Sequence, residues 1–291
     1  MHRMLITGVT SLHGWPLFKA LTRRLGAQQV LGICPPKTKR SQLDCENAIP
    51  CCVNDAEHLQ AIFRQFKPTG VIHTAGMCDL DVCEQWPSLA FKRNVEGTQN
   101  VMKLSRDCYV MALSTDLVFS GNHPPEGGYA ETAQPDPISM IGKTFAQAEA
   151  IVAALPDALI VRKGLPMGPS ISGRKGPMDY LAYRFSRGKP LTLFVDELRS
   201  VLYQADLTRG LLRLLEREAK GLYHLGGPQK VSLYAIGEYV IKTRGYDPTC
   251  LIRASRHDDT SGLPRIGDVS LNSAIAYQRI GETPRPWPAA A

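Results

Sequence analysis

Ile6-Thr-Gly8-Val-Thr-Ser11-Leu-His-Gly14 stands between a short apolar run, Arg3–Thr7, and an amphipathic one, Trp15–Leu25. A glycine-punctuated turn that leaves a first strand and opens a first helix marks a dinucleotide-binding βαβ unit. Glycine there permits positive φ and lets the backbone approach a pyrophosphate at the helix N-terminus. The usual spacing is Gly-x-x-Gly-x-x-Gly; here Gly8 and Gly14 stand and Ser11 takes the middle place. Ser11 adds a side chain at the point of closest approach, which weakens binding without excluding it. Its hydroxyl can also donate to a phosphate.

The pattern around this turn repeats outward. Strands are predicted at Arg3–Thr7, Val30–Ile33, Gly70–His73, Tyr109–Leu113 and Ala158–Val161, and helices at Trp15–Leu25, Ala56–Phe66, Trp86–Ser105 and Ser139–Ala154. Strands separated by helices imply βαβ crossovers and a parallel sheet, with ligands at the carboxyl ends of the strands. Beyond the turn-rich stretch Gly164–Pro177 the spacing loosens. Helices are expected near Met178–Arg187, Ala205–Arg217, Ser232–Thr243 and Leu271–Ile280, with strands at Leu191–Phe194 and Gly221–His224. The fold class is therefore α/β: a Rossmann-like doubly wound parallel sheet over residues 1–165, rejoined by some later segments. Residues 166–291 are mainly a small C-terminal substrate-binding lobe.

Composition narrows the function. The chain has 291 residues, 44% of them hydrophobic, which is ample for a packed core. No apolar run approaches the roughly 18 residues of a membrane helix, and the start reads as a first strand and not as a signal peptide, so the expectation is a cytoplasmic protein. Cys34, Cys45, Cys51, Cys52, Cys78, Cys83, Cys108 and Cys250 show no metal-type double CxxC spacing and are expected to be reduced and packed; no metal site is expected. The net charge of +7 resides entirely in residues 1–40, in Arg3, Lys19, Arg23, Arg24, Lys37, Lys39 and Arg40 with no acid among them. Such an excess suits a small phosphorylated ligand near the N-terminal fold, or is simply a solvated face. Nucleic acid fits less well, because no aromatic-and-basic motif accompanies it.

A site that prefers NAD generally has an acid after its second strand, to hold the ribose diol. Here the strand runs into Ile33-Cys34-Pro-Pro-Lys37-Thr-Lys39-Arg40. Lys37, Lys39 and Arg40 can pair with a 2′-phosphate, so NADP is favoured over NAD.

Later stretches carry a resemblance. Val71-Ile-His-Thr-Ala75-Gly76-Met-Cys-Asp79-Leu-Asp81-Val-Cys-Glu84 and Asn94-Val-Glu-Gly97-Thr-Gln-Asn100 look like the third-strand region and following helix of extended short-chain dehydrogenases. Leu113-Ser114-Thr115-Asp116-Leu-Val-Phe119-Ser-Gly121 resembles the Ser-Thr-Asp-x-Val-Phe-x-Gly signature of dTDP-4-dehydrorhamnose reductases. Arg162, Asp196–Ser200, Gly221–Gly227 and Asp268–Leu271 match that group's C-terminal half, so the resemblance covers essentially the whole chain. It implies a nicotinamide dinucleotide held by Gly8, Thr10, Ser11, Leu12, Gly14, Ala75 and Gly76, and a sugar nucleotide or similar substrate near Ser114, Tyr129 and Arg162. Thr115 and Asp116 carry over as the catalytic candidates.

The same resemblance leads one to expect a tyrosine at 141 and a lysine at 145, on one face of a helix. Ile141 and Phe145 stand there instead, within Pro137-Ile-Ser-Met-Ile141-Gly-Lys-Thr-Phe145-Ala-Gln-Ala-Glu149. A positioned general acid contributes about 10² to 10⁴ in rate, and neither replacement can act as one. Their simplest use is packing against the sheet. Lys143 lies about 200° round the helix from Ile141 and points away. Tyr129 or His123 can swing in from its loop as a substitute, though each is more simply a surface residue. In the resembling family an Asp often stands near the adenine; Cys52 occupies that place.

Two functions follow. One is an atypical NADP-dependent oxidoreductase or sugar-nucleotide-modifying enzyme with a degenerate or re-purposed site. The alternative is a non-catalytic ligand-sensing or regulatory subunit that needs no cofactor. The regulatory subunit of methionine adenosyltransferase resembles the same reductase group, which implies that this fold can bind a partner enzyme. The expected partners are a small nucleotide ligand and either a second copy or a partner enzyme.

Overall fold

A computed structural model describes residues 3–38, 43, 45–171, 173 and 176–288. Its centre is a parallel sheet of strands β1 (Met4–Thr7), β2 (Val30–Cys34), β3 (Ala48–Pro50), β4 (Gly70–His73), β5 (Tyr109–Thr115), β6 (Ala158–Lys163) and β10 (Gly221–Leu225). Their order is β3-β2-β1-β4-β5-β6-β10. The central strands are buried along their whole length, which is why they read as continuous apolar runs without alternation. The chain reverses its direction of winding between β1 and β4, and a crevice opens at such a switch point.

Helices cover both faces. On one side α1 (Gly14–Leu25), α8 (Gln204–Glu216) and α10 (Ala274–Ile280) bury Leu17, Phe18, Leu21, Leu207, Leu211, Leu214 and Ile280. On the other, α2 (Ala56–Phe66), α5 (Gly97–Leu104) and α6 (Met140–Ala153) contribute Leu59, Ile62, Phe63, Val101, Met102 and Val152. The doubly wound Rossmann-like architecture is therefore present.

Several later segments form a smaller layer. β7 (Leu165–Met167), β9 (Leu198–Tyr203) and β11 (Lys230–Ser232) make one sheet; β8 (Leu191–Phe194) pairs with β12 (Leu251–Ala254). With α7 (Pro177–Phe185) and α9 (Leu233–Arg244) they enclose Met167, Leu181, Phe185, Val201, Ile236 and Val240.

The sequence reading needs three corrections. The single helix expected at Trp86–Ser105 is instead α4 (Pro87–Phe91), a π-helical stretch Lys92–Glu96 and α5, and an unexpected α3 (Leu80–Gln85) precedes it. Pro87 starts a new helix because it lacks an amide to continue the old one. The final helix begins at Ala274, while Leu271 pairs as a β-bridge with Tyr129. β3, β7, β9, β11 and β12 were missed; most are short or half-buried, with no clear period of two.

Candidate functional site

The turn after β1 keeps the shape expected of a phosphate loop. Gly8 has φ +71°, and a Cβ there would meet the Ala75 amide nitrogen at 2.6 Å, so this position requires glycine. Ser11 does not project outward. Its Oγ accepts the Gly14 N–H at 2.9 Å and lies 3.2 Å from Thr74 Oγ1, occupying the first amide of α1 from within. Leu12 is buried, and its carbonyl accepts from Gln204 Nε2 at 2.5 Å, which ties the loop to the start of α8. Among the described residues the amides of Leu12 and His13 have no protein partner, so two donors remain at the N-terminus of α1. Thr10 is buried. Ala75 is half-buried and Gly76 exposed, so the segment after β4 opens on the crevice. These features fit a pyrophosphate, with fewer donors than a three-glycine turn would supply.

Ser139 caps α6 by accepting the Gly142 N–H at 3.2 Å. From that start Ile141 and Phe145 point inward, 1% and 9% exposed, into a cluster with Cys83, Val118, Phe119, Tyr129 and Leu271. The Phe145 ring lies 3.0 Å from where a Cβ on Gly76 would be, so its volume reaches the strand-four segment. Lys143 is exposed on the far side of the helix, as its angle requires. Burial of side chains this size stabilises by about 1.5–3 kcal/mol each, and neither can hold or move a proton.

Ser114 and Arg162 are register partners on β5 and β6, so both point to the face covered by α6. There they meet Glu149. Ser114 Oγ donates to Glu149 Oε1 at 2.5 Å; Arg162 Nε donates to Oε1 at 2.9 Å and Nη2 to Oε2 at 2.7 Å. Arg162 Nη1 faces His224 Nε2 at 3.3 Å, and His224 Nδ1 donates to the Tyr129 carbonyl at 2.8 Å. Burial lowers the His224 pKa to about 4, so the imidazole is neutral, with Nε2 as acceptor. The polar atoms of Ser114 and Arg162 are thus spent on a buried network between sheet and helix. Tyr129 is no swinging loop residue either. It is buried and stacked on Phe119 at 4.0 Å between centroids, and its amide donates to the Ser270 carbonyl. His123 is exposed in the preceding loop.

Thr115 and Lys163, the next register pair, face the opposite side of the sheet. Asp116 follows and is fully buried. Arg199 grips its carboxylate through Nε, at 2.6 Å from Oδ2, and through Nη2, which donates to Oδ1; Thr115 Oγ1 also donates to Oδ1, at 3.1 Å. Arg199 is brought here by β9, which crosses the end of β6 so closely that a Cβ on Gly164 would run into the Ser200 carbonyl oxygen. The two catalytic candidates do come together, but their polar atoms bind one another and Arg199. Glu149, Arg199, Lys163 and His224 escaped the sequence reading. Arg199 and His224 do lie in the stretches Asp196–Ser200 and Gly221–Gly227 that carry the resemblance, which was the available signal.

Three of the basic N-terminal residues have partners elsewhere. Arg3 lies over the Phe66 ring at 4.6 Å, Lys19 over Trp15 at 5.4 Å, and Arg24 pairs with Glu216. Lys37 is exposed beyond β2; Lys39 and Arg40 lie outside the described residues. At the place assigned to the adenine, Cys52 Sγ accepts from Arg93 Nη1 at 2.9 Å, and Asn54 Nδ2 donates to the Lys92 carbonyl at 2.6 Å. Among the described residues no cluster of His, Cys, Asp and Glu is placed to hold a metal, and no helix is long and apolar enough to cross a membrane.

The RmlD substrate binding domain family matches residues 1–291. The chain is 28% identical to methionine adenosyltransferase 2 subunit beta of Xenopus laevis, over 98% of this chain and 78% of that protein. It is 26% identical to dTDP-4-dehydrorhamnose reductase of Aggregatibacter actinomycetemcomitans, over 99% of this chain and 96% of the other. A dTDP-4-dehydrorhamnose reductase structure from Bacillus anthracis, in complex with NADP, superposes with a TM-score of 0.81 at 20% identity, covering 98% of this chain and 95% of that one. The chain belongs to the RmlD substrate binding domain family, within the dehydrorhamnose-reductase-like group of extended short-chain dehydrogenases.

Proposed function

We propose that this family member binds a nucleotide-type ligand in the crevice beside β1 and β4, acts without the Tyr/Lys proton-transfer centre of a carbonyl reductase, and serves as a regulatory subunit for a partner enzyme. One observation carries this reading: Ile141 and Phe145, where the resemblance leads one to expect that centre, are packed into an apolar cluster. Replacing the pair is not a vacancy that water or substrate can refill. Asp116 is a poor substitute acid or base, because Arg199 and Thr115 already bind both of its oxygens.

The dinucleotide is the ligand the phosphate loop supports best. The free amides of Leu12 and His13, with the turn at Gly8, would hold its pyrophosphate; Ala75 and Gly76 would line its path, and Lys37 would face a 2′-phosphate, favouring NADP over NAD. A bound nicotinamide dinucleotide supplies hydride-transfer chemistry. The residues of this chain bind and orient it but place no proton donor at position 141. The regulatory role is supported by the likeness to the adenosyltransferase beta subunits along nearly the whole chain.

The test is a thermal-shift titration of the full chain with NADPH, NADP, NADH and NAD, beside a turnover panel of dTDP- and UDP-linked sugars and ketosugars. The expected result is stabilisation by NADP(H) above NAD(H), by about 2.7 kcal/mol at 100 times the dissociation constant, with no carbonyl reduction. Absence of any shift would overturn the dinucleotide reading; reduction of a ketosugar by the wild-type chain would overturn the non-reductase one. Co-purification with a stoichiometric enzyme partner is expected from the native host, and a chain that runs alone there counts against the subunit role.

A further inference from the structure

Lys163 is a buried cation without a counter-ion. It is the last residue of β6, 7% exposed, and among the described residues no carboxylate comes within 4 Å of it and nothing hydrogen-bonds its ammonium. Its neighbours in the electrostatic sense are Cys78, Asp116, Arg199 and His13. Asp116 and Arg199 already neutralise one another, so the positive charge of Lys163 is the uncompensated one. The Nζ atom is also not among the described polar atoms that are both sealed from solvent and unpartnered, so it is the tip of the side chain that reaches water.

The flanking groups are equally unspent. His13 sits in the phosphate loop just before α1, and its Nδ1 is buried with no partner. Burial, reinforced by Lys163, lowers its pKa well below the usual histidine value and keeps the ring neutral, able to donate from one nitrogen. Cys78, in the segment after β4, is solvent-exposed, yet protein surrounds it closely enough for burial to raise its thiol pKa. The backbone just before it is held by Asn94, which accepts the Met77 N–H at 2.7 Å and donates to the Met77 carbonyl at 3.1 Å.

We propose that Lys163, with His13 and Cys78 beside it, forms an anion-binding site at the carboxyl end of the sheet that takes the carboxylate or phosphate group of a small ligand. The inference rests on the reading that this crevice holds a ligand, and it adds the chemistry of that ligand's far end. An ammonium with its stem buried and its tip wet loses desolvation cost when an anion arrives, and a low-dielectric wall strengthens the attraction. Apolar or cationic ligands gain nothing there.

The experiment uses the full chain at constant ionic strength, with sodium phosphate and sodium acetate as probes and chloride as the control. Binding is read by calorimetry, and by the rate at which iodoacetamide alkylates Cys78, followed by peptide mass spectrometry. Phosphate or acetate is expected to bind and to slow Cys78 alkylation at least three-fold, where chloride does not; whichever of the two acts identifies the anion. Lys163→Met is expected to weaken that binding at least ten-fold, while Lys163→Arg stays within a few-fold of wild type. Anion binding unchanged in Lys163→Met, or neither anion protecting Cys78 in the wild type, overturns the site. Should Lys163→Met fail to fold, Lys163→Gln takes its place: loss of Cys78 protection in that variant supports the site, and protection equal to wild type overturns it. NADP(H) binding on the same samples separates the two readings: NADP(H) binding without anion protection refutes this site alone, and anion protection without NADP(H) binding refutes the dinucleotide reading alone.

Discussion

Glu149→Gln is the most discriminating single change, because it separates a structural role for Ser114 and Arg162 from a ligand-binding one. Glu149 and Arg162 have side chains 10% and 4% exposed, and the carboxylate accepts from both Arg162 and Ser114. An isosteric amide leaves the guanidinium buried against a neutral group, still next to the neutral His224. Breaking a buried pair from one side costs about 3–5 kcal/mol. For a chain of this size each kcal/mol moves the melting temperature by about 2 °C, the low end of the usual range, so a fall of roughly 6–10 °C is expected. Circular dichroism in a thermal scan, with urea melts to confirm an unchanged m-value, measures it. Removing both charges together, as Glu149→Leu with Arg162→Met, is expected to restore most of the loss, since the uncompensated charge is gone. A Glu149→Gln protein that melts within 2 °C of wild type while losing NADP or anion affinity would refute the reasoning and return Ser114 and Arg162 to the ligand.

Ile141→Ala is expected to cost about 2–5 kcal/mol in urea unfolding, the range for a buried branched side chain; a loss below 1 kcal/mol would mean position 141 is not packed. Ser11→Gly frees the Gly14 amide that Ser11 Oγ now occupies. Since one such bond is worth about 0.5–1.5 kcal/mol, NADP is expected to bind about 2- to 13-fold tighter by fluorescence titration, and unchanged or weaker binding would count against the loop assignment. Acid stability follows from His73 and His224, both lowered by burial to a pKa of about 4. A lowered histidine pKa means the unfolded chain binds more protons, so stability is present above the unfolded value and is lost as pH falls through the window from 6.5 to 4. Each histidine is expected to withdraw about 2 kcal/mol between pH 7 and 5. Glu197 runs the other way: burial raises its carboxyl to about 7, so its contribution grows as pH falls from 7 towards 4.5. Urea melts at pH 7 and 5 should therefore show a steeper acid loss in Glu197→Gln and a shallower one in His73→Asn; the reverse order would refute the sign.

The central strands of the main sheet, β1, β4, β5 and β6, were legible because burial on both faces turns each into an apolar run bounded by turn formers. The segments missed were those, such as β3 and β11, whose short length removes any period to read. Pro87 marks the start of the helix expected at Trp86–Ser105, but the π-helical stretch that interrupts it has no sequence mark. Tyr129 was read as a loop residue because Gly127 and Gly128 precede it. What buries it is the bridge to Leu271, far along the chain.

The sequence by itself determined the parallel sheet, the glycine turn after β1, the group resemblance and the presence of Ile141 and Phe145 where that resemblance leads one to expect a tyrosine and a lysine. Each is a local matter of residue type and spacing. Only the tertiary structure decided which polar groups remain available. Strand register sends Ser114 and Arg162 to Glu149 and turns Thr115 and Lys163 to the other face, and the crossing of β9 gives Asp116 to Arg199. Among the described residues Lys163 is left unpaired because pairing depends on distance in space, which neither residue type nor spacing along the chain encodes.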